Sequence, residues 1–287
     1  MAIRKAQRMK AKLRMGIAAP SGAGKTYSAL LLAFGLGGKV GLIDTEHGSG
    51  DLYAHLGDYD LIGIEAPYSV DKYITAIAEF EKAGYNTIII DSLSHAWSGD
   101  GGLLDQQGKL ADRGTNSFAA WRTITPKHNA LVDAMLRSPC HIIATMRAKQ
   151  DYVLETNAQG KQQPKKVGLA PVQREGMEYE FTVMLDVDMN HIASASKDRT
   201  SLFDGRYFKI GKETGTELLS WLEMGQDAPN IEAIVLSISN AADLTILKGN
   251  HDAAISMLPI HYHQQVKDAA NTRQTSLKAA KKETEHA

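Results

Sequence analysis

The residues with the clearest chemistry form one octet, Ala19-Pro20-Ser21-Gly22-Ala23-Gly24-Lys25-Thr26. A short apolar run, Met15–Ala18, leads into it, and Tyr27–Phe34 continues with helical spacing. That is the strand, loop and helix order a phosphate-binding loop requires. Gly22 and Gly24 let backbone N–H groups turn toward an anion, and the start of the helix adds its partial positive charge. In such a loop Lys25 reaches the β- and γ-phosphates of a nucleotide, and the Thr26 hydroxyl ligates Mg²⁺. Ser21, Gly22, Ala23, Gly24, Lys25, Thr26 and Tyr27 are the residues expected to hold the nucleotide. The first glycine of the usual pattern is Ala19 here, and the strand and helix on either side compensate for that departure.

Two acidic positions extend this chemistry. Asp91 ends the apolar run Thr87–Ile90 and suits a carboxylate that orients Mg²⁺. Asp44 and Glu46 follow another run, Lys39–Ile43, and give the same crevice a second acidic edge. Hydrolysis needs a carboxylate that orients and polarises water. With Asp91 committed to the metal, Glu46 is the candidate, and ATP with Mg²⁺ are the expected cofactors.

These side chains need a scaffold that brings several strand ends together. Apolar runs recur at Leu13–Ala18, Lys39–Ile43, Leu61–Ile64, Thr87–Ile90 and His141–Thr145, separated by helical patterns such as Val70–Lys82 and Lys127–Arg137. Alternation of this kind predicts an α/β fold with a mainly parallel sheet and crossover helices. Beyond Tyr179 the runs Phe181–Asp188, His191–Ser196 and Tyr207–Ile210 leave no room for helices and read as antiparallel edge strands. Ser98–Asn116 and Ala148–Gly176 are too polar or glycine-rich for core elements, and each follows a strand. In a parallel sheet both emerge at the carboxyl ends, where ligands bind. The expected division is a basic N-terminal arm over 1–12, an ATPase core over 13–224, and a linker with helical segment over 225–287. Asp227-Ala-Pro229 reads as the linker and Lys278 to Ala287 as a frayed tail.

Composition narrows the function classes. The 287 residues carry 43% hydrophobic content and a formal net charge of −1, which excludes a globally basic nucleic-acid binder and leaves local patches. Cys140 is the only cysteine and lies in an apolar run, so it reads as a small buried hydrophobe in a reducing, cytoplasmic compartment. No apolar run approaches the roughly 18 residues that span a bilayer, so no membrane association is expected. His261-Tyr-His263 lacks the further ligands a zinc site needs.

The arrangement resembles the RecA family of recombinases, in which the strand after the phosphate-loop helix ends in an Asp-x-Glu-His segment bearing the catalytic glutamate. Here that segment is Leu42-Ile-Asp-Thr-Glu46-His47, followed by Asp51-Leu-Tyr53-Ala-His-Leu-Gly57, and Ile88-Ile-Ile-Asp91-Ser92 matches the metal-orienting strand. The resemblance implies a RecA-like (ASCE) P-loop ATPase core with a catalytic role for Glu46. Where the family places a γ-phosphate-sensing glutamine, this chain has Ala144-Thr145-Met146-Arg147, with Thr145 the positional match and Arg147 a charged alternative. Ser196-Lys197-Asp-Arg199-Thr200 is similar to the segment that donates two basic side chains into the neighbouring subunit's ATP, which implies that role for Lys197 and Arg199. The stretch from Lys166 to Phe181 resembles phage-encoded Sak-type ATPases, which implies a cytoplasmic protein acting in recombination or single-strand annealing.

The same resemblance implies that the two loops after the metal and sensor strands line a central channel and hold single-stranded DNA, in a homo-oligomeric ring or filament. The second loop carries Lys149, Lys161, Lys165, Lys166 and Arg174, with Gly160 as the tip of a hairpin. Arg4, Lys5, Arg8, Lys10, Lys12 and Arg14 form a second basic patch, and Trp97 and Trp121 flank the first loop, placed either to stack on bases or to pack in the core. The competing expectation is a nucleotide-switched assembly or helicase-loading module acting on a protein partner.

Overall fold

A computed structural model of the chain describes residues 5–156, 162–227, 230–258 and 262–285. The loop is positioned by β1 (Arg14–Ala19) and α1 (Lys25–Leu36), and the acidic residues by β2 (Val40–Asp44) and β4 (Thr87–Asp91). β3 (Asp60–Gly63) and α2 (Val70–Lys82) lie between those two strands in the chain. Three helices, α3 (Leu93–Ser98), α4 (Leu103–Asp112) and α5 (Ser117–Arg137), then lead to β5 (His141–Thr156) and β6 (Gln162–Pro171). The strands β7 (Val183–Val187), β8 (Ala193–Asp198) and β9 (Tyr207–Phe208) precede α6 (Lys212–Glu223).

The sheet runs in the order β3-β2-β4-β5-β1-β7-β8-β9, with β6 paired to β5. From β3 to β7 every pairing is parallel, and β7-β8-β9 closes the edge antiparallel. This is an α/β RecA-like P-loop core, in which β5 stands between the loop strand and the strand ending in Asp91. The central strands read as unbroken apolar runs because both faces are covered. Along β4, Ile88 and Ile90 join the core that holds Tyr73, Ile77 and Phe80 of α2, while Ile89 joins the opposite core with Leu30 and Leu32 of α1. On that second face α1 and α6 touch backbone to backbone, since a Cβ at Gly35 would lie 2.0 Å from the Lys212 carbonyl oxygen and one at Gly215 2.1 Å from that of Leu32.

Three expectations need correction. Ser98–Asn116 is not a loop, because it contains α4, whose polar residues face water and whose single buried side chain is Leu103. Asp105 pins the start of that helix by accepting from the Gly101 amide at 2.8 Å, and Asn116 caps α5 by accepting from Phe118 at the same distance. The strand expected to end at Thr145 instead continues to Thr156 and pairs antiparallel with β6, forming the hairpin arms of the region expected as a loop. The tip around Gly160 and Lys161 lies outside the described residues. The last helix runs to Glu285 through the expected tail, where Lys278-Ala-Ala-Lys-Lys-Glu supplies strong helix formers.

The chain divides into two compact units, Lys12–Glu223 and the described residues up to Ala11 together with those from Met224. The smaller unit contains α7 (Ile231–Ser239), α8 (Leu244–Met257) and α9 (His263–Glu285), packed around Ile238, Leu247, Leu258 and Val266. Within it Gln226 accepts from Lys10 and donates to Arg8 along the backbone, and Lys10 pairs with Asp227 at 2.7 Å. Among the described residues no helix is long and apolar enough to cross a membrane.

A candidate nucleotide cleft

At the carboxyl ends of β1, β2, β4 and β5 a cleft of about 480 Å³ is lined by Ser21, Gly22, Gly24, Lys25, Thr26, Glu46, Ser49, Tyr53, Asp91 and Arg147. The loop curls because Gly22 and Gly24 adopt left-handed backbone angles, φ of 83° and 82°, which residues with a Cβ rarely take. Behind it the turn between β7 and β8 acts as a brace. His191 Nδ1 lies 3.0 Å from the Ala23 carbonyl oxygen, and a Cβ at Gly24 would sit 3.3 Å from the same nitrogen. Ala23 is fully buried and Tyr27 faces the Tyr53 ring at 6.3 Å, so neither lines the cleft itself.

On the cleft floor, Thr26 Oγ1 donates to Asp91 Oδ2 at 2.5 Å, and the Thr145 hydroxyl donates to Asp91 Oδ1. Burial is the largest influence on the Asp91 carboxyl and pushes it above the ordinary carboxylate value, against the two hydroxyl bonds that favour the anion. A buried carboxylate answered by neutral hydroxyls, beside a threonine oxygen, is a hard-oxygen pair that fits a magnesium ion shared with phosphates. Among the described residues no group of three or more His, Cys, Asp or Glu is placed to hold a metal without such help. Lys25 Nζ donates to the Pro20 carbonyl at 3.2 Å, and burial lowers its pKa from the ordinary lysine value.

Glu46 sits on the rim. Burial alone would raise its carboxyl, but Arg147 reverses the sign and holds it below the usual value through hydrogen bonds and charge, with smaller help from His95 and Ser92. Arg147 Nε donates to Glu46 Oε1 at 3.1 Å and Nη2 to Oε2 at 2.6 Å, while Ser92 Oγ donates to Oε1 at 3.3 Å. Asp44, expected as part of an acidic edge, instead builds the turn that presents Glu46. Its two oxygens accept from the Glu46 amide at 2.6 Å and the Gly50 amide at 3.0 Å. Beneath, Thr45 Oγ1 accepts from the Ser92 amide at 2.9 Å and lies 2.7 Å from His95 Nδ1, with Tyr68 stacked on that imidazole.

Several residues singled out in the sequence lie elsewhere. Thr145 is fully buried on Asp91, so of the two sensor candidates only Arg147 reaches the cleft. Lys197 and Arg199 do not line it either. Lys197 donates to the Glu178 carbonyl at 3.0 Å and to that of Tyr179, and Arg199 to the Tyr179 carbonyl at 3.2 Å. Arg14 leaves the basic patch, because it is buried and donates to the carbonyls of Leu13, Leu136, Cys140 and Ser138. Trp97 and Trp121 stack on each other at 5.8 Å, with the Arg174 guanidinium 5.9 Å over Trp121. Lys149 is exposed, while Lys165 and Lys166 lie on β6. Ser49 and Tyr53 are the lining residues to which motif reading gave no role.

A phosphate loop on β1, an acidic strand one position beyond the next neighbour and a carboxylate on the rim define a P-loop ATPase domain. The family model described as an AAA domain (AAA_24) matches residues 11–216, and the chain belongs to that family. No curated protein matches the chain. Among solved structures, the chain is similar to a prototypical ATPase from the type III secretion system of pathogenic bacteria, at 13% identity and a TM-score of 0.40. That similarity covers 79% of this chain and 64% of the length of the other.

Proposed function

We propose that the chain is an ATPase of the RecA-like, phage Sak-related kind, which binds Mg-ATP, assembles with copies of itself and holds single-stranded DNA during recombination or annealing. The observation that carries the nucleotide part is the convergence of Lys25, Thr26, Asp91 and Glu46, from three different strand ends, on one cleft. Residues 13–224 serve as the ATPase core. Thr26 and Asp91 would hold magnesium, which when bound supplies charge neutralisation for the phosphates. Lys25 leaves the Pro20 carbonyl for the phosphates, and Glu46 takes a proton from water as the water oxygen bonds to the γ-phosphorus. The bond from that phosphorus to the bridging oxygen breaks, and ADP departs with the electron pair.

Support for a neighbouring subunit comes from Lys197 and Arg199, whose hydrogen bonds are to neutral carbonyls rather than to carboxylates. Support for DNA comes from the β5–β6 hairpin, which starts one residue after Arg147 in the cleft and has Lys149, Lys165 and Lys166 on its strands. A helicase-loading or assembly module remains the second reading. It is favoured by apolar side chains exposed on the C-terminal helices, Leu236, Ile246 and Met257, which suit a protein partner.

The test measures ATP hydrolysis with and without single-stranded DNA, and DNA affinity across a salt series, for wild type and for a variant with Lys161, Lys165 and Lys166 changed to alanine. The expected result is DNA-stimulated hydrolysis. The variant should lose roughly 0.7 from the log–log salt slope per lost contact, with basal hydrolysis retained. No DNA binding at any salt would favour the loading module.

A further inference from the structure

We propose that His191 is a positioning residue for phosphate binding: by holding the Ala23 carbonyl from behind, it aims the Gly24 amide into the cleft. The inference rests on the reading of the cleft as a nucleotide site and adds to that site a residue from outside the loop.

The loop by itself leaves that amide undetermined. The Ala23–Gly24 peptide is planar and trans, so its N–H points opposite to its carbonyl. Turning the whole peptide over changes mainly ψ of Ala23 and φ of Gly24, and glycine takes either sign of φ at little cost. The freedom that lets Gly24 reach a φ of 82° also lets it leave, so an outside contact has to fix the direction. His191 Nδ1 supplies it, 3.0 Å from the Ala23 carbonyl oxygen. With the carbonyl turned toward the β7–β8 turn, the Gly24 N–H points the other way, to the side on which Gly24 lines the cleft. A carbonyl oxygen only accepts, so Nδ1 carries the proton, as it does in one neutral tautomer and in the charged ring alike.

The turn is built to keep His191 there. β7 is the parallel neighbour of β1, with Asp186 opposite Ala18, so the chain leaves β7 beside the start of the phosphate loop. Asp188 then ties the turn from within. Its carbonyl accepts from the His191 amide at 3.0 Å, and its Oδ1 accepts from the amides of Asn190 and Ile192 at 2.8 Å each. His191 itself takes a left-handed φ of 63°, which a residue with a Cβ holds only where its surroundings enforce it. On the loop side, a Cβ at Gly24 would lie 3.3 Å from Nδ1 and one at Gly22 4.0 Å from Met189 Cε, so the same turn backs both left-handed glycines. A strained residue, fixed by its own turn and directing its ring at a loop carbonyl, marks a contact with a task.

The experiment is calorimetric binding of ADP and of a non-hydrolysable ATP analogue, each with Mg²⁺, to the full chain. It compares wild type, His191→Gly and His191→Asn. Both substitutes accept the left-handed angle, and only asparagine keeps a donor near the place of Nδ1. His191→Gly should weaken both nucleotides by about tenfold, the lower end for a hydrogen bond to a charged group, because the amide is freed rather than removed. The two losses should match, since the β-phosphate that the loop amides cradle is common to both nucleotides. His191→Asn should stay within about threefold of wild type, its side-chain amide standing in for the ring donor. Unchanged affinity in His191→Gly overturns the inference with the nucleotide reading intact. A loss that asparagine does not repair overturns it too, because the ring and not its donor then matters. A loss confined to the analogue does the same, since the β-phosphate would then be held without His191. Wild-type protein that binds neither nucleotide overturns that reading and the inference with it.

Discussion

The cleft and the β8 edge use the same kinds of basic side chain in opposite ways. In the cleft Arg147 faces a carboxylate at 2.6 Å, so its charge is already answered and a ligand must outcompete a partner. Along β8, Lys197 and Arg199 are held by main-chain carbonyls, which orient them without cancelling their charge. Partial burial and then the charge of Arg199 lower the pKa of Lys197, against the charges of Glu180 and Glu178. A paired cation yields only to a stronger partner, whereas two cations oriented by neutral carbonyls suit an anion arriving from outside the chain.

The largest expected effect tests the cleft half of that contrast. Lys25→Ala removes the cation facing the β- and γ-phosphates and should weaken nucleotide binding by about a hundredfold, on the order of a lost charged contact in a water-poor site. Lys197→Ala should leave the affinity of dilute protein within about twofold. Calorimetry on both variants checks the pair, and comparable losses in both would erase the distinction between the two regions.

A smaller effect tests the edge. Glu46→Gln subunits and Arg199→Ala subunits should each hydrolyse ATP slowly, the first by about a hundredfold or more because the base is gone. Mixed, they should recover part of the activity, since some interfaces then join an intact Glu46 to an intact Arg199. Rates across mixing ratios give the answer. If no mixture exceeds the sum of its parts although subunits exchange, Arg199 acts only within its own chain.

What the sequence made legible follows from how local each signal is. α2 could be read as Val70–Lys82 because Tyr73, Ala76, Ile77 and Phe80 repeat at helical spacing and all four are buried. The strands β1, β2 and β4 were legible because each is buried along its whole length. α4 was not, since one buried leucine gives no periodic stripe. The phosphate loop and Asp91 were readable from residue type and context. Nothing local, however, marks the pairing of Glu46 with Arg147, which are 101 positions apart and meet only because β2, β4 and β5 are neighbours in the sheet. Arg14 looked like one more charge in a basic run, and only the fold reveals that it bonds the end of α5 and the start of β5.

The smallest expected effect concerns pH and the rim of the cleft. The folded pKa of Glu46 is depressed, so the stability it contributes is present above the ordinary glutamate value and is lost as pH falls through its lower folded value. Arg147 and Ser92 face it directly, His95 lies behind it, and Lys25 and Asp91 lie across the cleft. Asp91 has the opposite sign, because burial raises it. The pair is about half exposed on the arginine side, which limits its worth to about 1 kcal/mol or less once solvent screening is counted. Glu46→Gln should therefore melt slightly below wild type near neutral pH, by a few degrees at most for a chain of this size, and the gap should close as pH falls below the ordinary glutamate value and the wild-type carboxylate protonates. Melting curves of both proteins across pH 3 to 8 measure that gap. A difference that stays constant through the acid range would mean that the ion pair contributes nothing to the folded state. The stability of the rim would then come from the Asp44 turn and the Thr45–Ser92 bond beneath it.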